Sequence, residues 1–271
     1  MEKDRSSHVL FFPVPTQGHM NPMIKLAELL ALTGFRITYL NTHHNHERLI
    51  KFTNIAAHFK RYPGFEFKTI TDGLPPDHPR SGHWFMEMYE EATEMKIKQG
   101  LREMLVNISP PVDCMIVDAF LGFALDVAGE LGIPIICFQT SSPCCFWTSY
   151  SIPAMIQAGE LPVEDMDRLI TIVPGMETHF RCRDLPSYCR AADMEDTFIK
   201  LVVNRTGKSV QANALILNTA EELEGPILSQ IRTQCPNVYA IGPINALLKS
   251  RVDAKHGESY HHFSNTLLEE R

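Results

Sequence analysis

The amino-acid sequence predicts an α/β fold, a doubly wound parallel sheet covered by helices on both faces. Short apolar runs rich in β-branched and aromatic residues alternate repeatedly with segments of helical period. These runs are continuously apolar, which is typical of strands buried on both faces of a parallel sheet. Gly34 and Gly132 stand at the ends of two helical segments, directly before the next strand-like run.

The first half of the chain carries the clearest elements. Strands are predicted at 8–14, 35–42, 65–70, 113–118 and 133–140. Helices are predicted at 23–34, around 47–60, at 84–108 and at 123–132. Prolines and glycines are dense at 72–79, so a loop is predicted there. Pro110 and Pro111 follow the long helix and mark its end.

The second half is less regular up to about Pro186. It then resumes the alternation, with helices predicted at 194–211 and 222–233 and strands at 214–219 and 237–243. The residues after 243 are polar and show no clear element.

Composition excludes several classes of function. The 271 residues carry 25 Lys and Arg against 32 Asp and Glu, a formal charge of −7, which argues against a nucleic-acid partner.

The polar N-terminus predicts no secretory signal, and no run approaches the roughly 18–20 apolar residues of a membrane span. The seven cysteines form no C-x-x-C pair, so they suggest neither a zinc site nor a disulfide framework. A cytoplasmic location is expected.

The turn after the first strand, PVPTQGHMNP, is the first candidate site, because ligands of such sheets lie beyond the carboxyl ends of the strands. With one glycine and no G-x-G-x-x-G or Walker pattern, it is a poor phosphate loop, and an oxidoreductase of the dinucleotide-binding type is not favoured. It places His19 at the start of a helix, whose N-terminus disfavours the imidazolium form. A neutral imidazole accepts a proton, so His19 is a candidate general base. The alternative is a histidine that only caps or packs.

Asp118 is the candidate partner of that base. It ends an otherwise apolar strand, where an unpaired carboxylate is costly. If the first and fourth strands are neighbours, the two side chains meet at one edge of the sheet, and the carboxylate fixes the imidazole tautomer. No G-x-S-x-G elbow exists, so a hydrolase triad is not indicated. His43, His44 and His46 lack metal-site spacing, and no metal is predicted.

Several segments together resemble plant UDP-dependent glycosyltransferases of family 1, which have the GT-B fold. The opening HVLFFPVPTQGHMNPMIKLAELL carries the resemblance furthest. At similar spacing follow LNTHHNHERL, TITDGLPP, MIVDAF, GIPIICFQTSS, IPAMIQAGELP, VPGM with RCRDLP, ALILNTAEELE and VYAIGP. The matching segments cover almost the whole chain from residue 8 to about 243.

The resemblance implies an inverting sugar transferase that needs no metal or other cofactor and uses UDP-glucose as donor. It implies that His19 deprotonates an acceptor hydroxyl and that Asp118 steadies the imidazolium. Gln17, Gly18 and Thr140 would lie beside the donor sugar. Residues 1–243 would form the Rossmann-like acceptor-binding domain and 244–271 an interdomain linker.

One departure from the family pattern is large. The family's signature for uridine and sugar lies in a C-terminal domain, and nothing like it occurs in this sequence. The chain would then be a fragment or a natural truncation, and alone it is expected to be inactive. A truncated paralogue that binds the small molecule without transferring sugar stays open as an alternative.

The acceptor is expected to be a hydroxyl or carboxyl of a lipophilic plant metabolite, such as a terpenoid or phenolic. The candidate acceptor-binding residues are apolar or weakly polar, and they follow strands, lie on the long helix or, for Phe180, lie in the irregular segment. They are Trp84, Met88, Phe120, Ser142, Cys145, Phe146 and Phe180. Core packing is the alternative for each, and a monomer is the default expectation.

Overall fold

The computed structural model describes residues 6–81 and 84–256. In chain order the strands are β1 (His8–Phe12), β2 (Arg36–Thr42), β3 (Phe65–Ile70), β4 (Cys114–Asp118), β5 (Ile135–Gln139), β6 (Ala214–Leu217) and β7 (Val238–Ala240). The α-helices are α1 (Gln17–Leu32), α2 (His43–Phe52), α3 (Ile55–Phe59), α4 (Glu91–Asn107), α5 (Phe123–Leu131), α6 (Pro143–Gln157), α7 (Thr197–Ser209), α8 (Glu221–Arg232) and α9 (Ile244–His256).

The chain divides into two compact units. The first contains the chain up to Ile136 together with α9, and the second is Cys137–Pro243. The sequence predicts one domain over residues 1–243 and did not indicate this division. The second unit and the predicted domain both end at residue 243.

The first unit is built on the strand order β3-β2-β1-β4. β1 pairs with β2 and with β4, β2 pairs with β3, and all three pairs are parallel. The chain thus moves outward from β1 to β3 and then returns to the other side of β1. This reversal beside β1 confirms the predicted doubly wound fold and marks the place where such sheets bind ligands.

Continuous burial explains why β1, one of the two inner strands beside the reversal, is almost entirely apolar. All five residues of β1 are buried, including Phe11 and Phe12. The Phe12 ring packs edge-on against Phe123 of α5, and Phe11 stacks on Tyr39 of β2. Helix α9 packs against α1, so residues 244–256, where no element was expected, are helical. The predicted interdomain role of 244–271 stays a prediction, and residues 257–271 lie outside the described part.

Two predicted helices are each divided in the structure. The segment 84–108 is a 3₁₀ helix at Trp84–Tyr89 followed by α4, because Glu90 takes an extended backbone conformation (φ −67°, ψ 137°). The segment predicted at 47–60 is α2 and α3. α2 begins earlier, since Thr42 caps it by accepting a hydrogen bond from the Asn45 N–H at 3.3 Å.

The second unit begins within β5 and contains the rest of that strand together with β6 and β7, and β6 pairs with β7 in parallel. Helix α6 packs on both α7 and α8. The sequence predicts no helix at Pro143–Gln157, yet α6 is a full helix with more than half of its residues buried.

Candidate active site

The turn between β1 and α1 holds His19 on the first turn of the helix. α1 begins at Gln17, and Thr16 before it has an extended backbone (φ −127°, ψ 152°). The Thr16 carbonyl accepts hydrogen bonds from the N–H groups of His19 and Met20, at 3.1 and 2.9 Å. These bonds fix the backbone that carries the imidazole.

The His19 side chain meets Asp118 at the carboxyl edge of the sheet. β1 and β4 are neighbours with Phe12 opposite Val117, so the residues after each strand end at the same level. His19 Nδ1 lies 2.6 Å from Asp118 Oδ2, and the Asp118 side chain is only 1% exposed against 26% for His19. The predicted pairing of the two side chains is confirmed, whereas their catalytic role stays a prediction.

Asp118 is itself held in place by the residues that follow it. Its Oδ1 accepts a hydrogen bond from the Phe120 N–H at 3.0 Å, and its carbonyl accepts one from the Leu121 N–H at 2.9 Å. The Phe120 ring stands edge-on to the His19 ring, with centroids 6.0 Å apart. A carboxylate anchored on one oxygen directs its other oxygen at the imidazole, which selects the tautomer with the proton on Nδ1.

The pKa of His19 reflects a competition between burial and charge. Burial lowers the pKa of the imidazole, while the Asp118 carboxylate raises it by charge and by the hydrogen bond, and the net pKa lies above the ordinary 6.5. The direction is opposite to that expected from the helix N-terminus alone. The Asp118 carboxylate outweighs burial because its charge and its hydrogen bond both act on the ring.

A second polar side chain, which sequence reasoning missed, braces the same turn. Asn45 Nδ2 on α2 donates to the Pro15 carbonyl at 2.8 Å and contacts Met20 Sδ at 3.4 Å. The buried Tyr39 hydroxyl donates to the Met20 carbonyl at 3.1 Å. The backbone on both sides of His19 is therefore tied to β2 and α2. The only signals in the sequence were the position of Asn45 three residues beyond a predicted strand and its place in the matching segment LNTHHNHERL.

The residues predicted beside a donor sugar fall into both units. In the first, Gln17 is half-buried and Gly18 is exposed, and a Cβ added to Gly18 would meet no atom within 4 Å. The missing side chain at Gly18 is thus not required by the packing of this chain. In the second, Thr140 follows β5 and is half-buried. Their contact with a sugar stays a prediction.

Three of the predicted acceptor residues belong to the first unit. Phe120 lies against His19, as described above. Trp84 and Met88 are buried on the 3₁₀ helix, and the Trp84 ring stands edge-on to His44 at 5.8 Å. Only Phe120 is thus brought into contact with the His19–Asp118 pair.

The other four predicted acceptor residues belong to the second unit and have packing roles there. Ser142 caps α6 by accepting the Cys145 N–H at 3.2 Å, and Cys145 Sγ lies 3.7 Å from the Tyr188 hydroxyl. Phe146 and Phe180 are buried. Their contact with an acceptor remains a prediction.

Within residues 6–81 and 84–256, no three His, Cys, Asp or Glu side chains are arranged to hold a metal ion. Over the same ranges no helix combines the length and apolarity needed to cross a membrane. All seven cysteines are free thiols.

Comparisons with known proteins all point to one family. Residues 6–246 match the family described as glycosyltransferase, N-terminal domain. A 7-deoxyloganetic acid glucosyltransferase of Catharanthus roseus is 45% identical over 262 residues, which are 94% of this chain and 54% of that protein. A myricetin 3-O-rhamnoside 1,2-glucosyltransferase of Crocosmia x crocosmiiflora is 38% identical, over 95% of this chain and 55% of that protein.

Solved structures agree on the fold. A UDP-glucose: anthocyanidin 3-O-glucosyltransferase in complex with UDP superposes with a TM-score of 0.72 at 21% identity, covering 88% of this chain and 53% of that one. The chain thus spans about half the length of the relatives and structures that it matches.

Proposed function

The chain belongs to the glycosyltransferase family whose N-terminal domain it matches, among the plant UDP-glycosyltransferases of GT-B fold, and from that premise we propose that it is the acceptor-binding half of a UDP-glucose-dependent inverting glucosyltransferase. The 2.6 Å contact between His19 Nδ1 and the buried Asp118 carboxylate carries the proposal. A histidine with a carboxylate on one ring nitrogen presents the other nitrogen as a base.

The proposed reaction is a direct displacement at the anomeric carbon of the sugar. His19 Nε2 takes the proton of the acceptor hydroxyl as its oxygen forms a bond to the anomeric carbon, and the bond from that carbon to the UDP oxygen breaks. UDP leaves with the electron pair, and the configuration at the carbon inverts. Asp118 stabilises the imidazolium formed in the step, which the raised pKa of His19 favours. No metal or cofactor is needed for the proton transfer.

UDP-glucose is proposed as donor because relatives at 45% and 38% identity are named glucosyltransferases. Gln17, Gly18 and Thr140 are proposed to contact the glucose, with the uridine held by a C-terminal domain that lies outside the part of the relatives that this chain matches. The proposed acceptor is a lipophilic metabolite with a hydroxyl or carboxyl group, of the terpenoid or phenolic kind, in line with the substrates in the relatives' names. We also propose that the protein is a monomer and that it is located in the cytoplasm, whose reducing conditions suit its free thiols.

The base assignment is tested by His19→Gln in this chain fused to the C-terminal half of the 45% identical relative. Transfer of glucose from UDP-glucose to an acceptor hydroxyl should fall by about 10²–10⁴-fold, because the proton then has no acceptor. The loss should appear in kcat, measured by chromatography of the glucoside. His179→Gln, at an exposed histidine of the second unit, is the matched control and should leave the rate unchanged. A His19→Gln fusion as active as the parent would rule out His19 as the base.

A further inference from the structure

The turn that carries His19 is held only weakly by its own backbone. Within the described turn, the Thr16 side chain makes no capping hydrogen bond to α1. Pro15 and Pro22 have no N–H group, and Pro22 lies inside α1, so it donates no helical hydrogen bond to the Gly18 carbonyl four residues earlier. The first turn of α1 therefore depends on hydrogen bonds from other elements to keep the imidazole in place.

Asn45 of α2 provides such bonds on both sides of the imidazole. Its Nδ2 donates to the Pro15 carbonyl at 2.8 Å and lies 3.4 Å from Met20 Sδ. Pro15 precedes His19 by four residues, and Met20 follows it directly. A carbonyl oxygen only accepts hydrogen bonds, so the contact needs the NH₂ group of an amide, which a carboxylate of the same shape does not have.

Asn45 is in turn fixed by the end of β2. Its N–H donates to the Thr42 hydroxyl at 3.3 Å, and Thr42, the last residue of that strand, is buried. Tyr39 of the same strand is buried too, and its hydroxyl donates to the Met20 carbonyl at 3.1 Å. Since β2 pairs directly with β1, from which the turn departs, the strand forms a rigid frame for both hydrogen bonds to the turn.

The geometry of the base depends on where this turn lies. Asp118 is fixed independently of the turn, because its Oδ1 accepts a hydrogen bond from the Phe120 N–H at 3.0 Å. The 2.6 Å distance from Asp118 Oδ2 to His19 Nδ1 is therefore kept only while the turn stays in place. Misplacement of a catalytic group by about 1 Å lowers a rate by up to about 10²-fold. A hydrogen bond that fixes the turn thus contributes to the rate without touching a reactant.

We propose that Asn45 is a positioning residue for His19. Its amide holds the turn between β1 and α1 so that the imidazole keeps its contact with Asp118 and directs Nε2 at the acceptor hydroxyl. The proposal rests on the proposed function in taking His19 as the base. It assigns Asn45 a role in kcat and not in binding the acceptor, because the amide nitrogen already contacts Pro15 and Met20 of the protein itself.

The kinetic test uses Asn45→Ala and Asn45→Leu in the fusion with the C-terminal half of the 45% identical relative. Leucine is similar to asparagine in size but has no donor, so it separates the hydrogen bond from the volume of the side chain. Both variants should lower kcat by about 10–100-fold. KM for the acceptor and for UDP-glucose should stay within about threefold. The matched control is Asn54→Ala, at an exposed asparagine whose side chain does not cap α3, and it should leave kcat unchanged.

A second readout, in the 271-residue chain, is the NMR titration of His19. Without the Asn45 amide the imidazole should move away from the carboxylate that raises its pKa, so the pKa of His19 should fall toward 6.5. A role in stability alone would lower the free energy of unfolding and leave this pKa unchanged. A third readout needs no substitution: the Asn45 Nδ2 proton bonded to Pro15 should exchange with water about tenfold more slowly than those of Asn54.

Three results would overturn the positioning role of Asn45: an unchanged kcat in both variants, a rate that Asn45→Leu restores, or a rise in KM alone. The first two would leave only packing, and the third would make Asn45 an acceptor contact. Failure of the proposed function is separable from these results. If the parent fusion transfers no glucose, the proposed function fails, while the His19 titration and the proton exchange of Asn45 still decide whether Asn45 positions His19.

Discussion

The imidazole of His19 has two environments that act in opposite directions. Burial disfavours its charged form, and the Asp118 carboxylate 2.6 Å away favours it more strongly. A base with a raised pKa binds the abstracted proton more firmly, but it must be neutral before it can act. Transfer by the complete enzyme should therefore rise with pH through a value above 6.5, as His19 loses its proton.

Replacing Asp118 by Asn removes the charge and keeps the size of the side chain. The pKa of His19 should then fall below 6.5, because burial remains and the carboxylate that offset it is gone. The measurement is an NMR titration of the His19 Cε1 proton in the 271-residue chain, assigned with His19→Gln. The exposed His179 is the internal control and should titrate identically in both proteins. An unchanged or higher pKa for His19 in Asp118→Asn would contradict this account.

The same pair links pH to stability. Since the folded-state pKa of His19 is raised, its protonation favours the folded chain. That contribution is fully present below the unfolded pKa of about 6.5 and is lost as pH rises through the folded-state value. The protonated form of His19, present below its pKa, therefore stabilises the fold, whereas the neutral form, present above its pKa, acts as the base.

At the scale of elements, the loop after β3 depends on a glycine that faces α4. Gly73 has a φ of +78°, and a Cβ there would lie 2.7 Å from both Cγ2 and the carbonyl oxygen of Thr93. Lys96 Nζ donates to the Gly73 carbonyl at 3.1 Å and ties the loop to the same helix. The loop after β3 is thus set by close contact with the backbone of α4.

Gly73→Ala should lower the free energy of unfolding by about 1–3 kcal/mol, because the methyl group meets backbone and the positive φ is strained. Gly129→Ala is the matched control, at an exposed glycine of α5 whose Cβ would meet no atom within 4 Å. That change should raise stability by about 0.5–1 kcal/mol. Urea unfolding followed by circular dichroism measures both. A Gly73→Ala chain as stable as the parent would show that the loop adapts freely.

The elements differ in how far sequence could predict them. The run FEFKTI at 65–70 coincides with β3, and it alternates apolar with polar residues because β3 is the edge strand of the sheet and is only partly buried. Helix α6 escaped prediction because Phe146, Trp147 and Ile152 are all buried and Pro153 lies inside it, so no single apolar stripe is visible. α9 did carry a signal: Ile244, Leu248 and Val252, every fourth residue, are buried.

The candidate site, too, has parts that the sequence could predict and parts that it could not. His19 and Asp118 could be paired from sequence on the condition that the first and fourth strands are neighbours, and the strand order shows that they are. The hydrogen bond from Asn45 to the Pro15 carbonyl and the ion pair between Arg80 and Asp72 could not be predicted. Both depend on how the chain folds beyond the strand ends. Loop conformation is set by side-chain contacts that no periodicity reveals.

At the scale of the whole molecule, the chain covers 54% of the relative that shares 45% identity with it. Positioning both reactants supplies much of an enzyme's rate, so a chain that holds only the acceptor should transfer no measurable glucose. Mixing it with the separately expressed C-terminal half of that relative should restore transfer, because association returns the donor to His19. The assay is glucoside formation against the concentration of the added half, and it should saturate. The His19→Gln chain is the control and should stay inactive at every concentration. If the mixture remains inactive while the fused halves transfer glucose, the two halves do not associate. If the mixture and the fusion both remain inactive while the chain binds acceptors, the chain is a small-molecule-binding protein.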